Sequence, residues 1–334
     1  MILVTGGTGF IGSHLVERLA AQGRRVRCLV RRSTTNLPAA VELAHGDLET
    51  GAGLAEALRG VDTVIHLAGV TKARTIADYD RGNAVATANL LRAAAGHIDQ
   101  IGRFVHVSSL AAAGPSPADR PLTETDEPRP ISHYGRSKLA GEQAVLQSPL
   151  AERTVIVRPP VVYGPRDRDV LQMLRSVAHG WMAQIGRPER PPQAASLPHR
   201  RFSHIYVGDL VDGLVVAADG GGEVSPLFYL ANDTPVSWEE FGNVAARLMG
   251  REVRTLAIPE KAAYVLGWCA ERWAGLSGKP GILSRDKVRE ACCTGWVCDP
   301  GRARRELGIS ASTGLEEGLR RTLDWYKEAG WLKF

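Results

Sequence analysis

The sequence predicts an α/β protein: a doubly wound parallel sheet followed by a smaller mixed unit. Three observations carry that expectation. Short, continuously apolar runs alternate with segments of helical period through the first half of the chain, as expected for strands buried on both faces by crossover helices. A glycine-rich turn joins the first such run to the first helix. After Pro159 the alternation gives way to shorter runs, a stretch rich in Pro and Arg, and aromatic-bearing helices.

Taken in order, residues 2–4 read as a buried strand. Residues 11–22 read as a helix, with Ile11, Leu15, Val16 and Leu19 at helical spacing. Residues 25–30 and 41–45 are the second and third strands, 54–58 a short helix and 61–67 the fourth strand. Residues 79–95 are an Ala-rich helix that stops before Gly96, and 104–107 the fifth strand. Residues 132–147 form a helix and 154–157 the sixth strand. Residues 188–198 have no period and read as a long loop. Residues 202–207 and 227–230 are further strands, 238–248 a helix with Ser237 as its N-cap, 261–276 an amphipathic helix carrying Tyr264, Trp268 and Trp273, and 315–326 the last helix. The domain expectation is 1–170 for the sheet, with a return segment near 202–232, and 171–334 for the smaller unit.

A chain of 334 residues fits about two domains. It carries 41 Lys and Arg against 36 Asp and Glu, a net charge of +5 spread along the chain. A diffuse excess of that size gives no reason to expect a nucleic-acid partner. The five cysteines (Cys28, Cys269, Cys292, Cys293 and Cys298) are odd in number, and their spacing suits neither a disulfide framework nor a zinc site. Reduced thiols in a cytoplasmic protein are the expectation. The apolar strand at the very start leaves no room for a signal peptide, and no apolar run approaches the length of a membrane span.

The turn is Thr5-Gly-Gly-Thr-Gly-Phe-Ile-Gly12. Gly6 makes the turn, Gly9 lets backbone approach a pyrophosphate, and Gly12 lets the helix pack on the strand. Phe10 and Ile11 open the helix, whose N-terminus presents free N–H groups to phosphates. A glycine triplet is a weak signal by itself; its place between strand and helix strengthens it and makes a Rossmann-type dinucleotide site the expectation. With the spacing GxxGxxG the chain resembles the extended short-chain dehydrogenase/reductase superfamily, the NAD-dependent epimerase/dehydratase group. Three stretches extend the resemblance: His45-Gly-Asp47-Leu48, whose Asp is implied to contact the adenine; His66-Leu67-Ala68-Gly69, implied to lie along the cofactor; and Arg158-Pro159-Pro-Val-Val-Tyr-Gly-Pro165, implied to lie near the nicotinamide. The second strand ends Val30-Arg31-Arg32, with no acid to bind ribose hydroxyls and two cations able to pair with a 2′-phosphate. NADP is therefore favoured over NAD.

Tyr134-Gly-Arg-Ser-Lys138 places a phenol and an ammonium on one helix face. A free phenol, with a pKa of about 10, is a poor proton donor near neutrality; an adjacent cation favours its phenolate. The resemblance implies that Tyr134 is the general acid/base and that Lys138 also holds the nicotinamide ribose. It places a hydroxyl partner at Ser109, with Ser108 as the alternative, and gives Asn83 a supporting role.

Two reactions compete. One is hydride transfer between the nicotinamide and a ketone or secondary alcohol, as implied by similarity to the dihydroflavonol-reductase-like and hydroxysteroid-dehydrogenase-like branch. Trp181, Tyr264, Trp268 and Trp273 would suit an apolar substrate, although each singly is better read as core packing. The other is nucleotide-sugar epimerisation at a bound NAD, for which Arg166, Arg168, Arg187 and above all Arg201 could hold a diphosphate. Ser109 is followed by Leu110-Ala111-Ala112 rather than an acidic pair, which argues against dehydration. A non-catalytic dinucleotide-binding subunit is the third reading, disfavoured because Tyr134 and Lys138 are both present. The resemblance also implies a homodimer built on the 79–95 and Tyr134 helices.

Overall fold

The computed structural model describes residues 1–33, 36–117, 119–185, 200–220, 226–277, 284–293 and 295–334, with backbone only for 273–277. The first half contains β1 (Ile2–Thr5), α1 (Phe10–Ala21), β2 (Val26–Val30), β3 (Glu42–His45), α2 (Leu54–Ala57), β4 (Thr63–His66), α3 (Ile76–Tyr79), α4 (Ala86–Ala95), β5 (Arg103–Val107), α5 (Leu110–Ala113), α6 (His133–Leu146) and β6 (Thr154–Arg158). The remainder holds β7 (Val161–Tyr163), α7 (Arg168–Ala178), β8 (Trp181–Ile185), β9 (Arg201–Phe202), β10 (His204–Tyr206), α8 (Val207–Asp219), β11 (Leu227–Tyr229), β12 (Val236–Ser237), α9 (Trp238–Leu248), β13 (Arg254–Ile258), α10 (Glu260–Ser277), α11 (Arg285–Ala291), β14 (Gly295–Trp296), α12 (Gly301–Leu307) and α13 (Leu315–Glu328).

Seven strands form one parallel sheet in the order β11-β6-β5-β4-β1-β2-β3. The chain winds outward from β1 through β2 and β3, then returns to lay β4, β5, β6 and β11 on the other side. The reversal between β1 and β4 opens a crevice at the carboxyl ends of the strands, where such sheets bind ligands. Both faces are covered. Val4, Ile65, Val105 and Val157 meet Leu15 and Leu19 of α1 and Leu210 and Leu214 of α8. Leu3, Val64, Phe104 and Ile156 meet Leu54, Leu90, Leu91 and Val145 on the opposite side. Each such side chain contributes about 1.5–3 kcal/mol on burial, and two-faced burial is why these strands read as unbroken apolar runs. A separate cluster around Tyr163, Leu171, Phe202, Phe241, Leu319 and Tyr326 packs the second half.

Two expectations need correction. The run 202–207 is not one strand. It divides at Ser203, whose N–H donates to the Trp296 carbonyl (2.9 Å) and whose hydroxyl accepts from Cys298 N–H (3.1 Å). β9 joins a small sheet with β12 and β14, β10 pairs with β7, and Val207 already begins α8. The helix expected over 79–95 is interrupted: α3 ends at Tyr79, a wide π-helical turn runs Asp80–Val85, and α4 follows. The expected 188–198 loop lies outside the described residues. The 238–248 helix is present with its Ser237 cap, completed by Glu240 as a capping box. Among the described residues no group of His, Cys, Asp and Glu could hold a metal ion, and no helix is long and apolar enough to cross a membrane.

Candidate active site

The glycine loop closes on itself at the carboxyl end of β1. Gly6 has φ +74°, and a Cβ there would lie 2.7 Å from the Ala68 amide nitrogen, so the turn and the 66–69 segment need glycine for both conformation and space. A Cβ on Gly12 would run into the Gly6 carbonyl. The Gly9 N–H donates to the Gly6 carbonyl at 3.0 Å, and no side chain caps α1 where it begins at Phe10 and Ile11. The first turn of α1 therefore offers backbone donors and the positive end of its dipole to an anion. Arg31 and Arg32 stand exposed directly after β2. Asp47 is committed to its own turn, its carboxylate accepting from Glu49 N–H at 2.7 Å, while the Leu48 carbonyl accepts from the Asn89 amide. The cradle fits a dinucleotide diphosphate.

A chain of hydrogen bonds ties this loop to α6. Thr5 Oγ1 accepts from Ala68 N–H (3.2 Å) and shares a hydrogen bond with His66 Nδ1 (2.7 Å). His66 Nε2 meets Thr87 Oγ1 (3.0 Å), which donates to the Asn83 carbonyl (2.7 Å). The Asn83 amide brackets Val70, accepting from its N–H at 2.8 Å and donating to its carbonyl at 3.0 Å. It also donates to Ser137 Oγ, which donates in turn to the Tyr134 carbonyl. Asn83 sits in the π-helical turn. Burial drives the His66 pKa down to about 3, aided by the Lys138 charge, so this ring is neutral in its network.

Ser109, Tyr134 and Lys138 converge at the ends of β5 and α6. Ser108 turns inward and donates to the buried Glu142 carboxylate, which also holds Arg158. Ser109 caps α5 by accepting from Ala111 N–H (3.2 Å), and its hydroxyl lies near enough to the Tyr134 phenol to favour the ionised form of that group. The buried Pro159 accepts from Leu110 N–H (2.9 Å), fixing the start of α5 against the end of β6. Gly135 allows α6 to approach so closely that a Cβ there would strike the Ala111 carbonyl. That approach brings Tyr134 to Ser109. The Lys138 ammonium is buried and donates to the Val107 carbonyl at 2.9 Å, and burial lowers its pKa to about 8.

The electrostatics differ from the sequence expectation. Burial raises the Tyr134 pKa; the Ser109 hydrogen bond opposes the rise, and so does a cation, but that cation is Lys287 rather than Lys138. The Lys287 ammonium stands 5.8 Å from the centre of the Tyr134 ring and pairs with Glu290 at 2.8 Å. Its helix, α11, is anchored over the site by Asp286, which accepts from His133 N–H (2.8 Å). The Tyr79 ring lies 6.2 Å from Tyr134. Nothing in local sequence marks Lys287, Glu290 or Tyr79, because only tertiary packing brings them to the phenol.

The three described arginines among those expected to hold a diphosphate are engaged elsewhere. Arg201 pairs with Glu240 (2.7 Å) and donates to the Pro235 carbonyl. Arg166 pairs with Glu17 (2.8 Å) and Arg168 lies over the Trp331 ring; Arg187 lies outside the described residues. Trp181, Tyr264 and Trp268 are exposed, which overturns the core-packing reading of these three. The Trp273 side chain is outside the description.

A model of the NAD dependent epimerase/dehydratase family matches residues 2–226. Ceramide reductase of Caulobacter vibrioides is 33% identical, covering 99% of this chain and 96% of its own length. The 4-hydroxy-2-methyl-3-oxo-4-farnesyl-3,4-dihydroquinoline-1-oxide ketoreductase of Stigmatella aurantiaca is 30% identical, covering 98% and 96%. Among solved structures, MoeE5 in complex with UDP-glucuronic acid and NAD superposes with a TM-score of 0.76 at 27% identity, covering 98% of this chain and 99% of that one. The chain belongs to the NAD dependent epimerase/dehydratase family.

Proposed function

We propose that the protein is an NADPH-preferring ketoreductase that reduces a keto group in an apolar, lipid-like molecule. The observation that carries this reading is the neighbourhood of Ser109 and Tyr134, with the Lys287 ammonium 5.8 Å from the Tyr134 ring centre, in a site whose described candidate diphosphate arginines are all held by other partners. Two relatives support it by name, a reductase of ceramide and a ketoreductase of a farnesylated quinoline oxide. Gly6, Gly9, Gly12 and the first turn of α1 hold the diphosphate; Arg31 and Arg32 pair with a 2′-phosphate; Asp47, Leu48 and the 67–69 segment flank the adenosine half; and Pro159 flanks the nicotinamide.

When bound, the nicotinamide supplies the hydride. Ser109 donates a hydrogen bond to the substrate carbonyl oxygen. Tyr134 gives that oxygen its proton as the C=O electron pair moves onto it, leaving a phenolate that Lys287 faces. Lys138, spending one N–H on Val107, has further donors for the nicotinamide ribose. Asn83 positions α6 rather than touching substrate. The same reading takes the protein as a cytoplasmic homodimer joined through α4 and α6. Nucleotide-sugar epimerisation at a retained NAD is the second reading, favoured by the MoeE5 likeness.

Fluorescence titration with NADPH and NADH, after assaying the purified protein for retained nucleotide, separates them. Exchangeable NADPH binding supports the ketoreductase, whereas NAD that does not exchange supports the epimerase. Tyr134→Phe is expected to bind NADPH as the parent does while losing at least about 100-fold in kcat; full activity in that variant would refute the assignment of the proton donor.

A further inference from the structure

The exposed side of α10 has the wrong chemistry for a solvated helix. Ala263 and Gly267 face inward, and Gly267 packs against the start of α11, where a Cβ would lie 3.1 Å from the Ser284 backbone. The outward arc spans about 200° at 3.6 residues per turn. It carries Ala262, Tyr264, Val265, Leu266, Trp268 and Cys269, with Val265 60%, Leu266 49% and Trp268 47% exposed. A solvent-facing stripe is normally polar. The charges within this arc are Lys261 and Arg272, whose guanidinium lies 5.4 Å from the centre of the Trp268 ring. Neither cation has a carboxylate partner among the described residues. The helix's acids are occupied at its flanks: Glu260 pairs with Arg200 and Glu271 with Arg285.

We propose that this face of α10 docks the protein on the surface of an anionic phospholipid bilayer, lying in the interface next to α11, the helix that covers Tyr134. Aromatic and aliphatic groups interleaved with uncompensated cations match the boundary between acyl chains and phosphates. A second copy of the chain fits poorly, because a two-fold contact would set Lys261 and Arg272 against their own kind with no acid in the arc. The helix is not long and apolar enough to cross a bilayer, which leaves it lying along the surface. Docking deepens the ketoreductase reading by naming where an apolar substrate is met, yet it stands on the helix face alone.

The test is flotation of the full-length protein with vesicles of phosphatidylcholine, with and without a phosphatidylglycerol minority, beside the double variant Val265→Glu/Leu266→Glu. The parent is expected to float with the anionic vesicles and to be released by salt, and the variant to bind at least about tenfold less. The variant should keep the parent's Tm and its turnover of a water-soluble ketone. No flotation of the parent with either vesicle overturns the proposal. A fall in the variant's Tm does so too, since it would mean that the chain itself covers this face. So does light scattering that finds a parent dimer and a variant monomer. Flotation by a protein that reduces no ketone supports docking and sinks the ketoreductase reading instead.

Discussion

Removing the Glu142 carboxylate tests the packing beneath the reacting hydroxyls. Its side chain is 3% exposed and that of its partner Arg158 is 2%. Glu142 accepts from Arg158 Nε at 2.8 Å, again from Nη2, and from the Ser108 hydroxyl. Arg158 has one other side-chain acceptor here, the Tyr229 hydroxyl at 3.2 Å. Glu142→Met would strand a buried guanidinium, at about 3–5 kcal/mol, and leave Ser108 without its acceptor, about 1 kcal/mol more. At about 1.4 °C per kcal/mol for a chain of this length, Tm should fall by about 6–8 °C. Arg158→Met strands the carboxylate instead and should lose a similar amount. The double variant buries two apolar side chains and no charge, so its loss should fall short of the sum of the singles by more than about 2 kcal/mol. Thermal unfolding followed by circular dichroism at pH 7 reads all three. Singles that lose under about 1 kcal/mol, or a double variant whose loss equals their sum, would refute the account of this pair as a coupled, desolvated unit.

Two further outcomes follow from the same geometry. His106 is buried beside His66, ring centres 5.4 Å apart, with neither ring nitrogen partnered among the described residues; burial, Lys138 and His66 hold its pKa well below 6.5. Neutral when folded and protonated when unfolded, it withdraws stability as pH falls below about 6.5; His106→Leu should therefore narrow the Tm gap between pH 7 and pH 5, and an unchanged gap would show that the ring does not titrate this way. Gly12→Ala drives a Cβ into the Gly6 carbonyl and the Gly7 Cα; a backbone shift on the scale of 1–3 kcal/mol should weaken NADPH binding about tenfold, and an unaltered Kd in the same titration would count against the proposed diphosphate cradle.

What could be read in advance depended on how local its cause is. β1, the glycine turn and α1 follow one another within twenty residues, and the strands covered on both faces announced themselves as apolar runs. The second half was harder. In α8 the buried Val207, Leu210, Val211, Leu214 and Val215 stand at i, i+3, i+4, i+7 and i+8, a helical stripe that the sequence reading passes over because it takes Val207 as the end of a strand; α7, β8, β13 and α11 are not marked either. The pivot at Ser203 depends on Trp296 and Cys298, more than ninety residues away. The π-helical turn at Asn83 depends on where Val70 and Ser137 lie. Tyr134, Lys138 and Ser109 could be nominated because spacing along one helix and one strand end suffices; Lys287 could not, since its relation to Tyr134 spans 153 residues and exists only once α11 has docked.

The late arrival of β11 has a consequence for synthesis. It pairs in parallel with β6, Leu227 against Ile156 through Tyr229 against Arg158, so the strand that carries Arg158 is an open edge until residue 229 has been made. At about 5–20 residues per second, the ribosome needs on the order of 4–14 s to cover the roughly seventy residues between them. During that interval the nascent chain displays a strand edge of Val155, Ile156 and Val157, a template for pairing with another chain. Pausing or rare codons between residues 158 and 229 would lengthen that window, and chaperone dependence during translation should be greatest there.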